Sequence, residues 1–288
     1  MRRISFWIVV FVLCWVAADL AHGADLRVPQ DATAGQSLTI GTGGGDTLYL
    51  VGPGQVIKRK ISGGGDVQIP GDELHNAGRW IAIVRGGANE SQVFWVRPGK
   101  AENLNFLARP SRVPVNRPGV ISGVAFVFDK YENLVLDPTQ VKFSLSVGAA
   151  HAEHAATSSN GVAWVTSSSA PKAGAAQFVA SLPDAQVRRV IEQVASEPCY
   201  SKLRMKVVQR DKGKVVVETD PVVDCTGNAV PDGTIVTFTQ TDPTGRSVVD
   251  ARIKKGVARA QLPAEPNARI SVASGVVLGN EIRLGGGE

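Results

Sequence analysis

Residues 95 positions apart match along one ungapped stretch of this 288-residue chain, and no other feature of the sequence constrains its fold as tightly. Asp129 matches Asp224, Asn133 matches Asn228, Val135 matches Val230 and Asp137 matches Asp232. At the same offset Val141 and Phe143 match Val236 and Phe238, and Gly161-Val162-Ala163 matches Gly256-Val257-Ala258. Farther along, FVAS at 178–181 aligns with SVAS at 271–274 after a two-residue deletion. The chain therefore holds two copies of one folding unit.

The matched residue types say what that unit is made of. Asp and Asn bracketing a short polar segment close a turn by bonding their own backbone and tolerating left-handed geometry. Val141, Phe143 and Leu145 alternate with Lys142 and Ser144, and Val236 and Phe238 flank Thr237. This period of two puts apolar side chains on one face of a strand and polar ones on the other. The Gly-Val-Ala triplet reads as the opening of a later strand whose close neighbour leaves room for little beyond a methyl group. Short alternating segments punctuated by Gly, Pro, Asn and Asp recur from residue 24 onward, and they predict an all-β chain.

DKYENLVLD, VKFSL and NGVAWV in one copy, and DCTGNAVPD, VTFT and KGVARA in the other, resemble the bacterial immunoglobulin-like repeats of the invasin and intimin type. The resemblance covers residues 104–182 and 200–284. It implies sandwiches of about seven strands, arrayed in tandem outside the cell and often found in adhesins. One departure is Glu132, which stands where the second copy has Gly227.

The segment 24–99 lies outside the repeat but carries Asn76-Ala77-Gly78-Arg79-Trp80-Ile81-Ala82. That run is similar to the immunoglobulin corner Asp-x-Gly-x-Tyr-x-Cys, whose tyrosine hydroxyl ties the corner down. Trp80 replaces the tyrosine here, and an indole is not expected to make that bond in the same way. Strands expected at Ser37–Ile40, Thr47–Val51, Val56–Ile61, Asp66–Ile69 and Gln92–Val96 suit a third sandwich.

The opening of the chain reads as an export signal. Arg2 and Arg3 precede an apolar run from Ile4 to Val16, and small residues follow at Ala21, Gly23 and Ala24. That run falls short of the roughly twenty residues of a spanning helix. Val12 and Leu13 before Cys14 do not fit a lipoprotein signal, so no stable membrane anchor is expected after cleavage. The organisation expected is an all-β chain of three tandem immunoglobulin-like β-sandwich domains after an N-terminal signal peptide. The boundaries are 1–23 for the signal peptide, 24–99, 100–182 and 200–288 for the sandwiches, and 183–199 for a linker. Val187, Val190, Ile191 and Val194 fit either a short helix in that linker or an edge strand.

Composition then excludes function classes. Cleavage removes Arg2, Arg3 and Asp19, so the formal charge falls from +5 to +4, and the basic residues are scattered. The tight cluster Lys58-Arg59-Lys60 reads as a solvated strand face, and no basic stripe interleaved with aromatics marks a nucleic-acid surface. Cys199 and Cys225 remain in the exported part, and an even pair there is expected to be oxidised. Their bridge would pin the start of the last domain to its own turn.

Beyond residue 23 the histidines are His75, His151 and His154. His151, Glu153 and His154 crowd metal-binding groups into four residues but lack the spacing of a zinc hydrolase motif, so a solvated loop is the plainer reading. No nucleophile elbow, calcium loop or phosphate-cradling glycine motif appears. No catalytic residue and no cofactor are expected. In Gln92–Val96, Phe94 and Val96 face one way and Val93 and Trp95 the other, so both faces are apolar. The second face is either packed against a neighbour or open to a partner, which makes Trp95 the binding candidate. The function expected is that of an exported, non-catalytic binding, adhesion or spacer protein whose partner is another envelope or extracellular protein. The alternative is a carbohydrate-binding accessory module.

Overall fold

A computed structural model describes residues 26–86, 89–211 and 213–285. The signal peptide expected over 1–23 lies outside them. All regular elements among the described residues are β-strands, and none is a helix long and apolar enough to cross a membrane. The chain forms two compact units. Unit 1 runs through Glu102 and also takes in Phe128–Leu136, while unit 2 holds Asn103–Val127 and the chain from Asp137 onward.

In unit 1, seven strands build one sandwich: β1 (Asp31–Thr33), β2 (Leu38–Thr42), β3 (Thr47–Gly52), β4 (Gln55–Lys60), β5 (Gly65–Ile69), β6 (Gly78–Arg85) and β7 (Ser91–Arg97). Five of them form a sheet in the order β1-β7-β6-β3-β4, and β2 pairs with β5 in the other layer. Ile40 and Ile69 from the small layer meet Leu48, Leu50, Trp80 and Phe94 from the large one in a single core cluster. Trp80 is fully buried, and its Nε1 donates to the Asn76 carbonyl at 2.9 Å. The indole thus does the tyrosine's work at the corner, contrary to expectation. Its N–H lies at the far edge of a long side chain and reaches a carbonyl four residues back. Gly52 lies flat against the indole and leaves no space for a Cβ.

Unit 2 carries two further sandwiches. The first has β8 (Asn103–Arg109), β9 (Arg112–Pro114), β10 (Ile121–Phe128), β11 (Gln140–Val147), β12 (Ala150–Thr157), β13 (Val162–Ser167), β14 (Gly174–Ser181) and β15 (Gln186–Val194). Its sheets run β13-β10-β8 and β12-β11-β14-β15-β9. Phe106, Phe143 and Phe178 fill the space between them, with ring centroids from 5.1 to 6.3 Å apart. The last sandwich has β16 (Met205–Asp211), β17 (Lys214–Thr219), β18 (Ile235–Asp242), β19 (Gly245–Arg252), β20 (Arg259–Pro263), β21 (Arg269–Ser274) and β22 (Val277–Arg283). Its sheets, β16-β17-β20 and β19-β18-β21-β22, enclose a core that includes Val215, Val217, Phe238 and Ile270.

The repeat is visible rung by rung. The β11–β12 hairpin pairs Gln140 with Thr157 through Val147 with Ala150, and the β18–β19 hairpin pairs Ile235 with Arg252 through Asp242 with Gly245. Gly161 and Gly256 sit at φ of +80° and +82°, each after a left-handed residue, Asn160 at +50° and Lys255 at +53°. Two consecutive left-handed residues make the kind of turn that matches strand twist. Conformation, not crowding, selects Gly256, since nothing lies within 4 Å of a Cβ added there. The FVAS and SVAS match is a coincidence one residue out of phase. Phe143 pairs with Ala180 but Phe238 pairs with Val272, so the sequence alignment would exchange inward and outward faces.

The linker expected over 183–199 is mostly strand. Gln186–Val194 is β15, paired antiparallel with β14 and parallel with β9. The helical spacing of its valines carries no weight against two ladders of backbone hydrogen bonds. Ile191 and Gln193 point inward, while Val190 is 60% exposed.

Candidate binding surface

Alternation along β7 builds the surface. Phe94 and Val96 enter the core at 0% and 2% exposure, which turns Val93 and Trp95 to the other side of the sheet. Trp95 lies between Asp31 on β1 and Arg79 on β6. One rung along, Val93 faces Ile81, Ile81 faces Val51, and Val51 faces Val56, an apolar row across four strands. The following rung carries Ile83, Tyr49 and Lys58. Trp95 is 51% exposed, Val56 64%, Val93 42% and Val51 37%, so this row is open rather than packed under another layer. The water-facing side of an antiparallel sheet is ordinarily polar, and a contiguous apolar patch marks a contact surface.

Cations rim the patch. Arg79, Arg85, Lys58 and Lys60 are exposed on this face, and the Lys58 ammonium stands 5.5 Å from the centre of the Tyr49 ring. Arg97 pairs with Asp31 at 3.1 Å. Within the Lys58-Arg59-Lys60 cluster the lysines do line the solvated face, but Arg59 turns away and pairs with Glu73. Lysines on β4, the outer strand of its sheet, also discourage edge-to-edge pairing.

The crowded histidines lie on β12 rather than in a loop. His151 and Glu153 share a face, with His151 Nε2 3.0 Å from Glu153 Oε1. The hydrogen bond and then the charge of His151 hold the Glu153 carboxyl below its ordinary pKa. His154 projects to the opposite side, 3.3 Å from Ser167 Oγ. Strand geometry therefore separates His154 from the His151–Glu153 pair, and no set of three metal-binding side chains converges among the described residues. Trp164 was not singled out by the sequence reading, yet it is 67% exposed on β13 opposite Val124. The signal was available: buried Ala163 and Val165 on either side force it outward.

The repeated Asp and Asn do more than close their own turns. Asp129 Oδ1 accepts from the N–H groups of Tyr131 at 2.8 Å and Asn133 at 2.9 Å, and Oδ2 accepts from Gly99 at 2.8 Å. Asn133 Oδ1 accepts from Ala77 N–H at 2.8 Å and its Nδ2 donates to the His75 carbonyl at 2.7 Å. Asp224 Oδ1 accepts from Thr226 and Asn228, both at 2.9 Å, and Oδ2 accepts from Ser196 at 3.1 Å. Asn228 accepts from Ala173 N–H at 2.8 Å and donates to the Pro171 carbonyl at 2.7 Å. Burial pushes both carboxyls up in pKa, but the donors from Asn133 and Gly99, and from Asn228 and Thr226, outweigh it and hold both below the ordinary range. In unit 2 this turn ties the last sandwich to the 171–173 loop of the one before it. Cys199 and Cys225 are disulfide-bonded, with the bridge closing beside Asp224 and pinning the start of the last sandwich to that turn.

No protein-family model matches the chain, and no curated protein matches it in sequence. Among solved structures, FdeC, an adhesin of Escherichia coli, superposes with a TM-score of 0.58 at 12% identity, covering 91% of this chain and 98% of its own. InvD of Yersinia pseudotuberculosis gives 0.51 at 12% identity, covering 90% and 96%. These likenesses establish the fold: immunoglobulin-like β-sandwiches.

Proposed function

We propose that this chain is an exported, non-catalytic protein that binds another envelope or extracellular protein, with its tandem sandwiches acting as an adhesive or spacer module. The observation that carries the reading is the open apolar row beside Trp95 on the outer face of the β1-β7-β6-β3-β4 sheet. Function on sandwiches of this kind resides in exposed faces and loops rather than in the core. The adhesin FdeC, which shares the fold, supports the same direction. The carbohydrate alternative needs coplanar exposed aromatics, and on this face Trp95 is accompanied mainly by aliphatic side chains.

Beads coated with the purified chain should adhere to cells or envelope fractions, and Trp95→Ser should reduce that adherence by about tenfold, the scale of a tryptophan hot spot. Adherence no greater than that of beads carrying an unrelated sandwich protein would remove the binding reading. Hits on a glycan array that vanish in Trp95→Ser would transfer it to the carbohydrate alternative.

A further inference from the structure

We infer that the outer face of the unit 1 sheet takes a protein surface that is apolar at its centre and acidic around it; the inference deepens the binding reading above and rests on it. The centre of the face is aliphatic and aromatic: Val93, Ile81, Val51 and Val56 in one row, with Trp95 beside it. Its surround is of one sign. Among the described residues Arg79, Arg85, Lys58 and Lys60 form no ion pair, and the one acid in the register, Asp31, is already held by Arg97. An apolar centre with an unneutralised cationic rim complements a partner of matching apolar centre and opposite charge.

Charge also decides against other occupants. In a symmetric pair of copies the same patch meets itself, so these arginines and lysines would face each other. A sulfated glycan would satisfy the cations but leave four β-branched and aliphatic side chains against a polar surface. An anionic bilayer would attract the rim, but valines in the middle of a flat sheet are shorter than the Arg and Lys side chains around them and do not insert. A protein surface satisfies both parts of the patch at once.

The test selects a displayed library of random peptides on the immobilised full chain, with the charge-reversed variant Arg79→Glu/Lys58→Glu and the variant Trp95→Ser as parallel baits. Circular dichroism and melting temperature establish that both variants fold, as expected for exposed positions. Selection on the unaltered chain should enrich peptides combining Leu, Ile, Phe or Tyr with Asp and Glu. Their binding should weaken with rising salt and fall at least about tenfold on Trp95→Ser, and the charge-reversed bait should enrich Lys and Arg instead. Enrichment without acidic bias, or peptides indifferent to both variants, would overturn the inference even if coated beads still adhere to cells, which tests the binding reading separately. So would rim-dependent binding to phosphatidylglycerol vesicles without peptide enrichment, or rim-dependent self-association in sedimentation equilibrium.

Discussion

Asp224 is the residue on which the most hydrogen bonds of the last sandwich converge: backbone N–H groups from Ser196, Thr226 and Asn228, and the Asn228 amide. It is 1% exposed, and removing the carboxylate leaves these donors without the acceptor that the fold provides. Asp224→Ala should cost about 3 kcal/mol of unfolding free energy, since each stranded donor costs about 1–3 kcal/mol. The carboxyl titrates below its ordinary value of 3.8. A depressed folded pKa contributes stability that is fully present above the unfolded value and is lost as pH falls through the folded one. Melting temperature should therefore hold from neutral pH down to the ordinary carboxylate range and drop below it. Asp224→Asn should start lower at neutral pH and show a shallower acid limb. An unchanged acid limb in that variant would assign the loss to other groups.

Gln240 is a defect at the same scale. It is fully buried on β18, and neither atom of its amide has a hydrogen-bond partner among the described residues. The other copy carries Leu145 at this position, 4% exposed. Gln240→Leu should raise stability by about 1–2 kcal/mol by removing an unpaired polar group from the core, as read by denaturant midpoint with an unchanged slope.

Among the elements, the turns of the two copies show how one conformation survives different residues. Glu132 occupies φ +65° where Gly227 occupies +89°, so the left-handed geometry is kept although only glycine adopts it without cost. The Asp129 and Asn133 bonds hold that turn closed around Glu132. The other copy adds a covalent tie: Cys199 and Cys225 lie 26 residues apart in sequence. Replacing both by serine should cost about 3 kcal/mol in the chain-entropy account for a loop of this size. Calorimetry should show the loss in the transition of unit 2, with that of unit 1 unmoved.

At the scale of the molecule, the sheets of the described residues pair face to face, and within unit 2 the Asp224–Asn228 turn joins two such pairs through backbone groups of residues 171, 173 and 196. Short polar bonds to backbone are directional, so they fix an angle as well as a distance. Asn228→Ala leaves both cores intact but removes the bonds to Pro171 and Ala173. Small-angle scattering should then show a broader distribution of interatomic distances than in the unaltered chain, with secondary structure unchanged. An identical distribution would show that the bonds to Pro171 and Ala173 do not set the junction.

Fold class, the repeat and the paired cysteines were legible in the sequence, because each depends on local rules: a period of two, a turn-closing side chain, an even count of thiols after the expected signal peptide. Local rules fail where a neighbour supplies the deciding energy. Val187 to Val194 fit a helix by spacing, and two adjacent strands made them β15. His151, Glu153 and His154 lie within four residues, and the pleat sends His154 to the face opposite the other two. FVAS and SVAS look equivalent, and only the ladder reveals the one-residue slip. The sequence by itself determined which side chains of a strand share a face, since that follows from periodicity. Only the tertiary structure decided which of the exposed ones stand together, because the row Val93, Ile81, Val51 and Val56 is assembled from four strands by backbone hydrogen bonds that carry no side-chain signature.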